Sequence, residues 1–271
     1  MTNGKRRMMS ITVLLVGITG SPRGDQAPIG YTDTPMQPDG RWHIHDGARP
    51  QPRLVKPGQP GIAIASSAPS DAIVLLGSGN DLSAWQAMDG SPAPWPMANG
   101  VLRTGKGLIR TKAEFSDFQL HVEFATPDEV KGDSQGRGNS GVFLLGKFEI
   151  QVLDSYENPT YPDGQAAAMY GQFPPLVNAS RPPGEWQAYD IVFTAPRFTA
   201  NGAFDKPAVV TVFHNGIVVH NATAFWGPTA HRRINPYTPD TAKGPLTLQD
   251  HGNPIRYRNV WIRRLGGYDE S

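Results

Sequence analysis

The run KFEIQVLDS, Lys147–Ser155, sets Glu149 and Gln151 two residues apart, with Asp154 three residues further on. At the two-residue period of a strand, Phe148, Ile150 and Val152 fall on one face and Lys147, Glu149 and Gln151 on the other. A carboxylate beside a carboxamide can take a proton, accept a hydroxyl or hold a cation. Two readings of the polar face stay open. It is either the solvated outer side of a sheet, as ordinary alternation gives, or the floor of a sugar cleft, because hydroxyls need many directional donors and acceptors. Asp154 is out of phase, since strict alternation puts it on the apolar side, where an unpaired carboxylate is costly. Either the strand ends before it, or a β-bulge near Leu153 swings it onto the Glu149 face.

In the bulged case, E-x-Q-x-x-D resembles the E-x-D-x-x-E strand of laminarinase-type glycoside hydrolases, with Gln151 and Asp154 replacing an acid and the second Glu. A retaining hydrolase of that kind needs two carboxyls about 5 Å apart. A second strand, FQLHVEFAT, sets His121 and Glu123 on its polar face. GRGNSG (Gly136–Gly141) is a glycine-rich turn without the lysine of a phosphate cradle, and its Asn139 either caps the turn or reaches the polar face. LQDHG places Gln249 and His251 on one side, and a histidine there can act as a base near neutral pH. No H-x-x-x-H zinc spacing and no G-x-S-x-G nucleophile elbow occurs.

Strands must position these residues. Gly 30 and Pro 26, without a collagen period, mean many turns in a chain of 271 residues. From about Ser70 onward the pattern has period two: AIVLL, FQLHVEFAT, GVFLL, WQAYDIVFTA, PLTLQDHG and IRYRNVWIRRL. VVTVFHNGIVVHN is a hairpin, with Asn215-Gly216 favouring a type I′ turn. Strands at this spacing predict a single antiparallel β-sandwich or jelly roll, the last strand pairing far from its sequence neighbours. A formal charge of +1 gives no support to a nucleic-acid partner. Residues 1–25 read as a secretory signal, with Lys5, Arg6 and Arg7 before the apolar run Ile11–Gly20. Cys is absent, so no disulfide framework is expected, and a periplasmic or secreted location follows from the signal. Residues 26–70 are Pro- and Gly-rich and read as an extended arm or linker, docked by Trp42 and His43, before a domain at 71–267.

The motifs GNSGVFLLGKFEIQVLDS, AMYGQFPPLVNASRPPGEWQAYDIVF, HNGIVV, GPTAHR and LQDHGNPIRYRNVWIR together resemble the 3-keto-disaccharide hydrolase domain family. WHIHDGARPQPRLVKPG and GLIRTKAEFSDFQLHVEFATP extend the resemblance over roughly residues 41 to 265, with one departure at Leu76-Gly77-Ser78. The resemblance implies a concanavalin A-like sandwich with a concave sugar site. It also implies a glycoside oxidised at C3 as substrate, supplied by a separate sugar 3-dehydrogenase. On that basis Glu149 is the candidate base or cation ligand, Gln151 a hydroxyl contact, and His251 the rival base or the acid assisting the leaving group. Asp154, Asn139, Glu123, Arg110, Tyr170 and Gln249 are candidates for binding or orientation. Arg256 or Arg258 would stabilise an enolate unless it forms a cross-strand ion pair. A divalent ion such as Ca²⁺ has candidate ligands among the Glu, Gln and Asp oxygens. Two rival classes remain: a carbohydrate-binding module with Trp85, Trp95 or Trp226 as stacking platforms, and a conventional two-carboxylate hydrolase.

Overall fold

A computed structural model describes residues 29–55 and 68–266, together with Met1. The expected leader falls outside the described residues except for Met1, and so does the Pro-rich stretch 56–67.

The strands of two sheets, in chain order, are β1 (Ile73–Leu76), β2 (Trp85–Ala87), β3 (Met97–Ala98), β4 (Val101–Arg103), β5 (Ile109–Phe115), β6 (Phe118–Ala125) and β7 (Ser140–Leu144). They continue with β8 (Phe148–Val152), β9 (Gln187–Thr194), β10 (Val209–His214), β11 (Ile217–Ala224), β12 (Gly244–Leu248) and β13 (Arg256–Arg264). The larger sheet runs β11-β10-β9-β6-β13-β4-β3, with β1 beside β13 beyond β4; the smaller runs β2-β5-β12-β7-β8. All pairings within both sheets are antiparallel. The chain is therefore an all-β antiparallel sandwich, and β13 does pair with distant partners, β6, β4 and β1. The β10–β11 hairpin turns at Asn215 (φ 53) and Gly216 (φ 79), both left-handed as a type I′ turn requires.

Alternation decides which residues meet between the sheets. Phe118, Leu120, Val122 and Phe124 of β6 face Val142, Leu144, Phe148, Ile150 and Val152 of β7 and β8, all buried in one core. The opposite side chains of each sheet are thus pushed outward, onto two different surfaces.

β8 lies at an edge of the smaller sheet, yet every residue of it is buried. The cover comes from two later segments. Ala167 and Tyr170 donate backbone bonds to Gln151 O (2.8 Å) and Glu149 O (3.2 Å), while Gln151 N donates to Ala168 O (3.0 Å). Thr229 donates to Lys147 O (2.9 Å), and its hydroxyl accepts from Glu149 N (2.9 Å). Closing an edge in this way removes a pairing hazard and holds β8 rigid.

Residues 29–55 are packed onto the sandwich rather than extended as a linker. Buried Asp163 accepts from His45 N (2.9 Å), His45 Nδ1 (3.2 Å) and Gln37 Nε2 (3.3 Å). Gln37 Nε2 also lies 2.9 Å from Gln172 O, and Ile44 and His45 are fully buried. Trp42 and His43 are only half-buried, so the anchor is His45 with Gln37 in place of the expected Trp42 and His43. Asp163→Ala takes the acceptor from the buried His45 backbone N–H and ring nitrogen. It should cost about 2–3 kcal/mol and expose residues 29–55 to limited proteolysis at temperatures where the parent resists cleavage.

Candidate active site

A cavity of about 410 Å³ opens on the outer face of the smaller sheet. Its floor comes from strand positions that alternation turns away from the core: Phe143 on β7, Glu149 and Gln151 on β8, and Gln249 just past β12. Register sets them side by side, with Phe143 opposite Glu149 and Gly141 opposite Gln151. Asn139 and Gln135 enter from the glycine-rich turn, Tyr161 and Tyr170 from the segment covering β8, His231 from the GPTAHR segment, His251 from the loop after β12, and Tyr31 from the docked arm.

Glu149 is 5% exposed, and the described residues bring no cation to its carboxyl. Burial alone raises its pKa to about 8. The side chain has room because position 141 is glycine: a Cβ there would sit 2.3 Å from Glu149 Oε1 and 2.8 Å from the Phe143 ring. Gln151 lies between acceptors. With its amide nitrogen turned toward Glu149 it donates to Oε1 (3.1 Å) and to Ser140 O (2.9 Å); turned the other way, it donates to Gln135 Oε1 (3.0 Å). Gln135 is held in place, its own Nε2 donating to Thr160 Oγ1 and Gly164 O at 2.9 Å each. The first orientation suits a Glu149 carboxylate. The second suits a carboxylic acid, which can donate to the Gln151 oxygen. Proton and amide orientation are therefore linked.

Two further acceptors at the cavity, Asn139 Oδ1 and Gln249 Oε1, are buried with no hydrogen-bond partner. Asn139 also closes its turn, Nδ2 donating to Gln135 O at 2.8 Å, so both expected roles are met by one side chain. On the far wall a relay runs from Tyr161 OH to Tyr170 OH (3.1 Å) and on to His231 Nδ1 (3.1 Å). Burial lowers the His231 pKa, with His45 and Arg232 adding to it, which favours the neutral ring that can accept from Tyr170. Burial pushes the Tyr170 hydroxyl above its ordinary value. His251 is exposed at the rim.

Of the residues singled out from sequence, Glu149, Gln151, Asn139, Tyr170, Gln249 and His251 converge on this cavity. Four others do not. β8 stops at Val152, and Asp154 turns away: Arg137 Nε donates to its carboxylate at 2.7 Å, and Tyr156 N at 3.2 Å. It lines a separate cavity of about 160 Å³ with Arg137 and Gly138. Gly138, at φ 58, allows this approach, since a Cβ there would lie 2.9 Å from that of Asp154. Glu123 lies on the outer face of the larger sheet, across the sandwich, because its inward neighbours Val122 and Phe124 fix the phase. There Arg258 Nε (2.6 Å) and Asn259 Nδ2 (2.8 Å) donate to it. Arg256 shares that face and pairs with Asp128 at 3.0 Å, so both arginines are cross-strand or loop ion-pair partners. Arg110 lines a neighbouring cavity.

Trp85 and Trp95 are core residues, and Trp226 packs on Phe173 at 4.3 Å between ring centroids. Phe143 is the floor aromatic instead. Tyr31, Gln135, Tyr161 and His231 were not read from the sequence as site residues. Nothing in local periodicity marks them, although His231 lies in the GPTAHR motif. Among the described residues no group of three or more His, Asp or Glu side chains converges as a cation site. The acceptors around Glu149 are otherwise neutral amide oxygens, which gives a divalent ion one charged ligand.

The model of the 3-keto-alpha-glucoside-1,2-lyase-like domain matches residues 71–263. The chain belongs to that family. A 3-keto-disaccharide hydrolase of Bacteroides thetaiotaomicron is 22% identical over 248 residues, covering 72% of this chain and 79% of its own length. A crystal structure from Parabacteroides distasonis, named as a candidate glycosyl hydrolase, is 44% identical with a TM-score of 0.71, covering 85% of this chain and 100% of that one. That span is longer than residues 71–271 alone can supply, so the likeness reaches into the docked arm. A second structure from that organism, 21% identical with a TM-score of 0.52 over 72% of this chain and 94% of that one, shares the fold. Together with the cavity, these relatives support an enzyme acting on glycosides.

Glu149 makes stability depend on pH in a definite sense. Its folded pKa of about 8 lies above the ordinary 4.5, so the unfolded chain loses this proton first. Stability should fall as pH rises from about 4.5 to about 8 and then level off. Comparing Tm of wild type and Glu149→Gln across that window should show the gap moving in the variant's favour as pH rises. A gap that stays constant means Glu149 titrates normally.

Proposed function

We propose that this protein is an exported enzyme, periplasmic or secreted, that cleaves 3-keto-glycosides or 3-keto-disaccharides made by a separate sugar 3-dehydrogenase. One observation carries the reading: among the described residues the cavity holds a single carboxyl, with no cation partner and poised near neutral pH, and the carboxylate that could have joined it, Asp154, is bound to Arg137 elsewhere. Conventional glycoside hydrolysis uses two carboxyls flanking the bond. Proton abstraction beside a ketone needs one base of suitable pKa.

The chemistry follows from the substrate's ketone. The C3 carbonyl acidifies the C2 proton, which Glu149 takes as a carboxylate, leaving an enolate. The C1–O bond to the aglycone then breaks as a C1=C2 double bond forms. The departing oxygen takes a proton from His251 at the rim or from the Tyr170–His231 pair. Water adds across the double bond, hydroxyl to C1 and proton to C2, and the sum is hydrolysis. The orphan oxygens of Asn139 and Gln249 accept from sugar hydroxyls, and the Gln151 amide steadies the Glu149 carboxylate once the proton has gone.

Purified protein should release sugar from a 3-keto-disaccharide and leave the unoxidised disaccharide and a β-glucan intact. In D₂O the product should carry deuterium at C2. kcat/KM should rise with pH toward a plateau above about 8, and Glu149→Gln should lower it by about 10²–10⁴-fold. Cleavage of the glucan, or full turnover by Glu149→Gln, would sink the reading.

A further inference from the structure

The outer face of the smaller sheet does not end at Glu149. Beyond Phe143 lies a second cavity, of about 530 Å³, and Phe143 lines both. Cross-strand register places Arg110, Thr247, Phe143 and Glu149 in one row across β5, β12, β7 and β8. Three strand spacings separate the ends of that row, about 14 Å, farther than one pyranose ring reaches. The two cavities therefore form successive stations along one groove.

Charge in the second cavity is incomplete. Lys147 pairs with Asp240 at 2.7 Å, and Lys243 pairs with Glu114 at 3.2 Å. Arg110 has no anionic partner among the described residues, and its Nε is buried without a hydrogen bond. Directly opposite, Thr247 Oγ1 is also buried and unpartnered. Leaving such groups unsatisfied is costly, and a guanidinium is best satisfied by a planar, two-oxygen anion. Met88, Leu108 and Pro245 add apolar wall, against which a ring can lie.

We infer that this second cavity is a binding site for the leaving group of the substrate, and that Arg110 with Thr247 selects an aglycone bearing a carboxylate. The inference rests on the reading of the Glu149 cavity as the reaction site. A uronic acid and an aromatic carboxylate share the recognised group. Arg110 takes the carboxylate in a two-pronged contact, Thr247 donates its hydroxyl to it, and Phe143 packs beneath the bond that joins aglycone to the reacting sugar.

The test is calorimetric and needs no turnover. The full chain is titrated at low salt with cellobiose and its uronate counterpart, and with phenyl β-glucoside and its para-carboxylate. In at least one pair the carboxylate should bind about tenfold tighter or more, and 0.5 M salt should shrink the difference. Arg110→Gln should abolish that preference; Arg110→Lys should keep part of it, and Thr247→Val should reduce it. The pair that responds identifies a sugar acid or an aromatic acid. No preference in either pair, including no binding at all, overturns the inference, and so does a preference that survives in Arg110→Gln. Turnover of a neutral 3-keto-disaccharide by wild type is measured in parallel. Its absence counts against the reaction at Glu149, whereas turnover without carboxylate preference counts against Arg110 alone.

Discussion

Glu149 carries its carboxyl into a buried position that no cation among the described residues meets, and the surrounding structure is arranged around that cost. Desolvation favours the protonated form, so the group is held as an acid at neutrality and ionises only near pH 8. Holding it there takes three things. Glycine at 141 leaves space above the neighbouring strand. The Gln151 amide can present either end to the carboxyl. Backbone bonds from Ala167, Tyr170 and Thr229 close the edge of β8 and hold the strand that carries it in place.

The other outer face of the sandwich shows the opposite treatment of charge. His121 and Glu123 are as buried as Glu149, but each is answered. Burial alone would lower the His121 pKa, yet Asp190 at 2.6 Å and Glu123 raise it to about 9. Burial opposes the Glu123 charge, yet His121, Asn259 and Arg258 hold its carboxyl down at about 2. Charges matched in this way stay fixed across the physiological range. One sheet thus pairs its buried charges, and the other leaves the buried Glu149 carboxyl without a cation among the described residues, on the side that opens into a groove.

Much of the fold was legible in residue order. Period two in FQLHVEFAT and KFEIQVLDS follows from strand geometry, and Asn215-Gly216 fits its turn because both residues must adopt positive φ. Alternation also divided polar from apolar side chains on each strand. It could not say which polar face mattered, because Glu123 and Glu149 have the same local pattern and differ only in which sheet their strand joins. For the same reason Arg256 was a fair candidate and proved to be an ion-pair partner. Asp154 depended on where β8 ends, and beyond that end Arg137, distant in sequence, meets its carboxylate.

The sequence by itself determined the β-sandwich class, the family and the strand that supplies Glu149 and Gln151, since hydrophobic period and motif order are properties of the chain read locally. Only the tertiary structure decided what surrounds that strand. Tyr31 comes from a segment that composition marks as a linker, and buried Asp163 draws it in through His45 and Gln37. The pKa of Glu149, the separation of Asp154 from it and the lack of an anionic partner for Arg110 among the described residues all follow from which groups are near in space and which are not. Burial and charge pairing are sums over neighbours that sequence order does not rank.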